Sequence, residues 1–203
     1  MPYYKIIIAV LCLFVGIAYA SSDAVINKKL SGFQTLSADF VQTLTTNDGQ
    51  VLQESKGKVF ISRPGKLAWI VESPMPQTII ADGTKLSVYD PSLNQVSMSA
   101  MDSSSEVSYP ALLLSSSDNS ILKRFDVTDL GEDSFKLVPP NADSLFRDVV
   151  LTFSGSKLEA IVIHDQLDQI ITIQFVKEKL NIPISNDSFV LNLPKDVDRV
   201  DLG

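Results

Sequence analysis

Residues 51–90 read VLQESKGKVFISRPGKLAWIVESPMPQTIIADGTKLSVYD. Four runs rich in aliphatic and aromatic residues (VLQESKGKVFIS, KLAWIVE, QTIIA and KLSVYD) are separated by the turn formers RPG, SPMP and DGT. Turns this short leave no room for the long crossover that a parallel strand pair requires, so the stretch reads as an antiparallel meander.

The same punctuation extends outward. Upstream stands ADFVQTLTT with the turn NDGQ; downstream come NQVSMSAM, then RFDVTDL, SFKLVP, FRDVVLTF, KLEAIVIHD, QIITIQFV and SFVLNL. Two short helices accompany these strands. SSDAVINKKLSGF begins with capping serines and an early Asp, and carries Ile26, Leu30 and Phe33 on one stripe with Lys28 and Lys29 off it; Gly32 suits the C-cap. Pro110 opens the second, with four apolar residues inside the serine-rich segment DSSSEVSYPALLLSSSDNSILKRF. About eleven strands are too many for two short helices to cover as a separate layer. The fold class expected is mainly β: an incomplete, unclosed antiparallel barrel with the helices against its hollow side. WIV, TIIA, DVVLTF, AIVI and QIITIQF are apolar on both faces. Either both faces are simply buried or the hollow is a lipophilic cavity, and periodicity leaves both open.

The first 20 residues, MPYYKIIIAVLCLFVGIAYA, hold one Lys, an apolar run and a terminal Ala-Tyr-Ala. They read as a cleaved signal peptide, leaving residues 21–203 as a single domain. Cys12, the only cysteine, falls inside that segment, so the mature chain has no thiol for a disulfide or a cysteine metal site. Lys5 is its only charged residue, so removal leaves 16 Lys and Arg against 24 Asp and Glu, a net charge of −8. A net anion is repelled by nucleic acid and by anionic lipid surfaces.

Catalytic chemistry has no visible address. His164 is the single histidine, in VIHDQLDQII, where the ordinary reading is a polar hairpin; there is no G-x-S-x-G elbow, phosphate loop or dinucleotide fingerprint. The serine clusters at 103–105 and 115–117 have loop composition, and Asp82-Gly83 has hairpin-turn composition. No cofactor or metal is implied.

Arg63 is the anomaly. Strand parity places it on one face with Val59 and Ile61. A buried unpaired guanidinium costs several kcal/mol, roughly, so Arg63 either reaches water beside the Pro64-Gly65 turn or collects acceptors. Helix C-termini supply such acceptors in their unbonded carbonyls, and a planar guanidinium is shaped to gather them. If the helices end near Leu30 and near Leu114 and Ser115, Arg63 would hold both as a reversible lid catch.

The segment RPGKLAWIVESPMPQTIIADGTKLSVYDPSLNQV (63–96) resembles the core motif of the periplasmic outer-membrane lipoprotein carrier (LolA) family, through the spacing of Arg63, Trp69, Asp82, Gly83, Tyr89 and Pro91. FQTLSADFVQT and the P-x-x-L-L helix add to the likeness. Leu67 and Ser87 depart from it, standing where the family often has Phe and Trp. The resemblance implies an unclosed β-barrel with a helical lid that shields lipoprotein acyl chains in the periplasm. It implies cargo received from an inner-membrane lipoprotein-releasing ABC transporter and passed to an outer-membrane acceptor, by a monomer that is not an enzyme. Arg63, Leu30, Leu114 and Ser115 match the family's latch positions; Val59, Ile61, Leu67, Trp69, Val71, Leu112 and Leu113 are the expected cavity residues. A carrier of another amphiphile such as a glycolipid, a hydrolase using His164 and a non-binding envelope protein are the rival readings.

Overall fold

The computed structural model describes residues 22–101, 110–116, 122, 124–140 and 144–202. The expected signal peptide with Cys12, and Ser103 to Ser105, lie outside them. Helix α1 (Ser22–Leu30) precedes six strands: β1 (Thr35–Thr46), β2 (Val51–Ser62), β3 (Lys66–Ser73), β4 (Gln77–Asp82), β5 (Lys85–Asp90) and β6 (Gln95–Ala100). A 3-10 helix at Pro110–Leu114 leads to β7 (Asp126–Gly131), β8 (Ser134–Val138), β9 (Phe146–Ser154), β10 (Lys157–Asp165) and β11 (Gln169–Leu180). A second 3-10 helix (Asn186–Phe189) and β12 (Asp198–Asp201) complete the chain.

Among the described residues the twelve strands form one sheet in the order β12-β6-β5-β4-β3-β2-β1-β11-β10-β9-β8-β7. Two meanders are thus joined where β1 pairs antiparallel with β11, and β7 and β12 remain as edges, so the barrel is unclosed. The sheet is strongly curled. Seven strands separate β5 from β8, which on a flat sheet would place them roughly 38 Å apart. Yet Leu86 of β5 and Phe135 and Leu137 of β8 belong to one hydrophobic core. That core fills the concave side, where Ile26 and Leu30 of α1 and Leu112 to Leu114 of the first 3-10 helix are packed, each at most 2% exposed.

The convex side explains why β3 and β4 are apolar on both faces. The segment after β11 straps the outside of β2, β3 and β4, where Phe189 is buried with Ala68 and Ile80, and Phe60, Ile184 and Leu191 pack around them. Residues 188–193 (SFVLNL) are therefore not the strand their alternation suggests: Phe189 ends the second 3-10 helix and Leu191 continues the strap. The last strand is instead the polar DRVD, parallel to β6.

Two turns bring the Arg63 region together. Arg63-Pro64 is a cis peptide, and Gly65, at φ +75°, sits so near the Asp82-Gly83 turn that an added Cβ would lie 3.0 Å from the Gly83 Cα. Asp82 Oδ1 accepts bonds from the Thr84 and Lys85 N–H groups, both at 2.8 Å. Burial pushes that carboxyl up, but these bonds more than offset it and hold it below its ordinary value.

Candidate functional site

Arg63 stands at the end of β2, where the chain turns beneath the C-termini of both concave-side helices. Its Nε donates to Leu114 O at 2.9 Å, and its Nη1 donates to Leu30 O and, at 3.3 Å, to Phe33 O. The guanidinium also lies over the Phe33 ring, 4.1 Å from its centroid. The Leu30 and Leu114 carbonyls are among those that a helix end leaves unbonded, and Phe33 follows α1 by three residues. Burial pulls the Arg63 pKa down to about 10, which leaves the side chain charged at neutral pH. Beside it, the Gly65 N–H donates to Ser115 O at 2.8 Å, while the buried Ser115 hydroxyl donates to Leu112 O at 2.9 Å. Turn and 3-10 helix are thereby tied by backbone as well as side chain.

A second fastening lies on the same rim, across the mouth at the other meander. Lys29 of α1 donates to Gly155 O at 2.9 Å and pairs with Asp133 Oδ1 at 2.9 Å, with its ammonium 5.5 Å from the Phe153 ring centroid. Lys29 lies off the apolar stripe, yet it joins α1 to the turns that follow β7 and β9. The helix therefore bridges both meanders.

Beneath the first 3-10 helix is an apolar hollow of about 120 Å³, lined by Gln42, Leu67, Trp69, Ile79, Ala111, Leu112, Ile163, Ile171 and Ile173. Of the residues proposed from sequence for a cavity, Leu67, Trp69 and Leu112 stand on this wall. Val59, Ile61 and Leu113 are packed in the core around it, and Val71 is partly buried against the same core. Trp69 stacks on Phe40 at 4.1 Å between centroids and meets Phe175 edge-on at 6.2 Å, which gives the wall a rigid aromatic corner. Phe40 crosses β2 at Gly57, where a Cβ would come within 2.6 Å of the Phe40 ring and 2.0 Å of Ile70 O. Only glycine lets the Phe40 ring lie flat there.

The sequence did not point to Gln42, Ala111 or the β4, β10 and β11 wall residues, nor to the part played by Phe33. The strands were visible, but which strands oppose each other across a curled sheet depends on the β1–β11 pairing, for which no local pattern exists.

His164 lies at the end of β10, one residue after inward-facing Ile163, and so on the convex face. Its Nδ1 is 2.7 Å from Asp148 Oδ1, and Lys136 Nζ is 3.7 Å from Asp148 Oδ2. This polar cluster is on the far side of the sheet from the hollow. Among the described residues no three His, Cys, Asp or Glu side chains group as a metal site, and no helix is long and apolar enough to cross a membrane.

The chain resembles proteins of known family along most of its length. A family model described as outer membrane lipoprotein carrier protein LolA matches residues 31–192. The outer-membrane lipoprotein carrier protein of Chromohalobacter salexigens is 36% identical over 175 residues, covering 84% of this chain and 82% of that protein. Its counterpart from Coxiella burnetii is 34% identical over 206 residues, with 97% of each chain covered. Among solved structures, an uncharacterized conserved protein from Thermus thermophilus shares the fold, with a TM-score of 0.54 at 12% identity over 88% of this chain and 96% of that one. With an unclosed barrel, a covered apolar hollow and this extent of sequence identity, the chain belongs to the LolA family of outer membrane lipoprotein carrier proteins.

Proposed function

We propose that this protein is a periplasmic carrier that takes up the acyl chains of lipoproteins released from the inner membrane and hands them to an outer-membrane acceptor. In this reading residues 1–20 are a cleaved signal, the mature protein is a monomer, and its partners are an inner-membrane lipoprotein-releasing ABC transporter and the acceptor. The observation that carries the reading is the apolar hollow under the first 3-10 helix, together with the convergence of that helix's and α1's C-terminal carbonyls on one arginine.

The physical need is large. At about 0.8 kcal/mol per CH₂, a sixteen-carbon chain disfavours water by roughly 12 kcal/mol. Ligand pockets generally run from about 300 Å³ upward, whereas this hollow is about 120 Å³. Cargo entry therefore requires α1 and the first 3-10 helix to move aside, exposing the apolar side chains they cover. The Arg63 bonds are suited to that motion because each is strong enough to hold and weak enough to exchange. No step calls for a catalytic group, and the His164–Asp148 pair faces away from the hollow.

The test is to isolate the mature protein from a periplasmic extract, with and without the transporter, and identify bound material by mass spectrometry. Acylated lipoprotein on the carrier supports the reading. Glycolipid alone in the hollow would redirect it to another amphiphile, and loss of all function in His164→Ala would favour a hydrolase.

A further inference from the structure

The hollow has a second, polar compartment. Along β1 the inward residues run Leu36, Ala38, Phe40, Gln42 and Leu44; along β2, in the opposite direction, they run Ile61, Val59, Gly57, Ser55 and Gln53. The register sets Phe40 against Gly57, Gln42 against Ser55 and Leu44 against Gln53. Both strands thus acquire polar side chains at one level, while the adjoining wall of β11 stays apolar with Ile173 and Ile171 opposite Gln42 and Leu44.

A space of about 180 Å³ lies here, lined by Gln42, Leu44, Gln53, Ser55 and Ile171. It shares Gln42 and Ile171 with the apolar hollow, so the two spaces adjoin. Ser55 is only 2% exposed, and its Oγ accepts from Gln53 Nε2 at 2.9 Å, which leaves the hydroxyl proton to be donated. The partly buried Gln42 carboxamide makes no hydrogen bond to any described residue. Donors left uncommitted beside an apolar cavity are free to serve the acceptors of a ligand that enters it. A space built for hydrocarbon alone would be better lined with Leu or Val.

We propose that Gln42, backed by Ser55 and Gln53, binds the ester or amide carbonyl of an acyl group whose chain occupies the Trp69–Leu112 side. This rests on the carrier reading and narrows its cargo: the site selects acyl groups over plain alkyl chains. Gln42 Nε2 donates to the carbonyl oxygen, and the Ser55 hydroxyl supplies a second donor on the same level.

The experiment compares two synthetic lipopeptides of one sequence, with two sixteen-carbon chains attached to glyceryl through ester or through ether links. Binding is measured by displacement of diphenylhexatriene from the mature protein. Wild type should prefer the ester form by about tenfold, the effect of one well-placed hydrogen bond with its neighbour. Gln42→Met, close in length to the native side chain, should reduce that preference to less than about twofold with the melting temperature unchanged. Equal binding of ester and ether by wild type, or a preference kept in Gln42→Met, would overturn the assignment and leave the carrier role standing. Diphenylhexatriene uptake with binding of neither lipopeptide would overturn the carrier role itself. Should Gln42→Met fail to fold, the wild-type ester-to-ether ratio alone decides.

Discussion

Replacing Arg63 with Leu should free the covering helices without unfolding the barrel. The native side chain bonds Leu114 O at 2.9 Å, Leu30 O, and Phe33 O at 3.3 Å. Taking about 2 kcal/mol for each of the two better charge-assisted bonds and half that for the longest gives about 5 kcal/mol. Burial lowers the guanidinium from its ordinary value to about 10; allowing for partial solvent screening, this costs about 2 kcal/mol. The net hold is about 3 kcal/mol, so opening should become roughly 150-fold more frequent in the variant. The Gly65 amide, bonded to Ser115 O, is a local reporter of this opening. Native-state hydrogen exchange should show its protection falling by that factor, while amides in the β1–β11 ladder keep theirs. Protection of Gly65 within about threefold of wild type would mean that Arg63 does not hold the helices down. Equal loss across the whole ladder would mean that it stabilises the barrel instead. If the opening is as proposed, cargo handover should also be impaired in this variant.

Other expectations follow from single contacts. Gly57→Ala should cost about 3 kcal/mol or more in urea unfolding, because its Cβ would stand 2.0 Å from the Ile70 carbonyl oxygen, which belongs to the backbone and cannot swing away. Lys29→Ala removes the Asp133 pair and the bond to Gly155 O; with Asp133 half in water the loss should be about 1 kcal/mol, read as about fivefold faster exchange at the end of α1. Trp69→Ala should destabilise the fold by about 3 to 5 kcal/mol through loss of the Phe40 and Phe175 contacts, measured by thermal unfolding. Because burial makes Arg63 bind its proton less tightly in the folded state, unfolding takes up a proton only between about pH 10 and the higher, ordinary guanidinium value. Stability gained from this group as pH rises is confined to that window, so the melting-temperature difference between wild type and Arg63→Leu should be constant from pH 6 to 9; a slope there would point to another titrating group.

The meander was legible because turn residues carry their own stereochemistry: the segments 51–62 and 85–90 are strands with the bounds their punctuation suggests. Helix α1 was legible from its caps and apolar stripe. The strap at 184–191 was not, since the alternation of SFVLNL is the same whether its apolar residues join a sheet or cross over one; the pocket formed by Phe60, Ala68 and Ile80 decides. Strand β12 gave no apolar signal and is held by backbone, with Asp198 N–H donating to Asn94 O and Leu202 N–H to Met98 O. Arg63 was conspicuous as a charge out of phase, and its bonds to Leu30 and Leu114 depend on helix ends that caps make readable. The Lys29 fastening arises from α1 meeting the turns after β7 and β9, which are far away in sequence; the Gln42–Ser55 level lies on paired neighbouring strands, but the face they present was not marked. Polar residues on a strand carry no mark of which compartment they will face.

The most direct experiment is to place a photoactivatable side chain at Ile79, on the wall of the hollow, irradiate cells producing the protein, and sequence what becomes covalently attached. The carrier role predicts adducts of many different lipoproteins joined through their acyl chains, increasing when the outer-membrane acceptor is depleted. Adducts of phospholipid or glycolipid alone, unchanged by acceptor depletion, would contradict it.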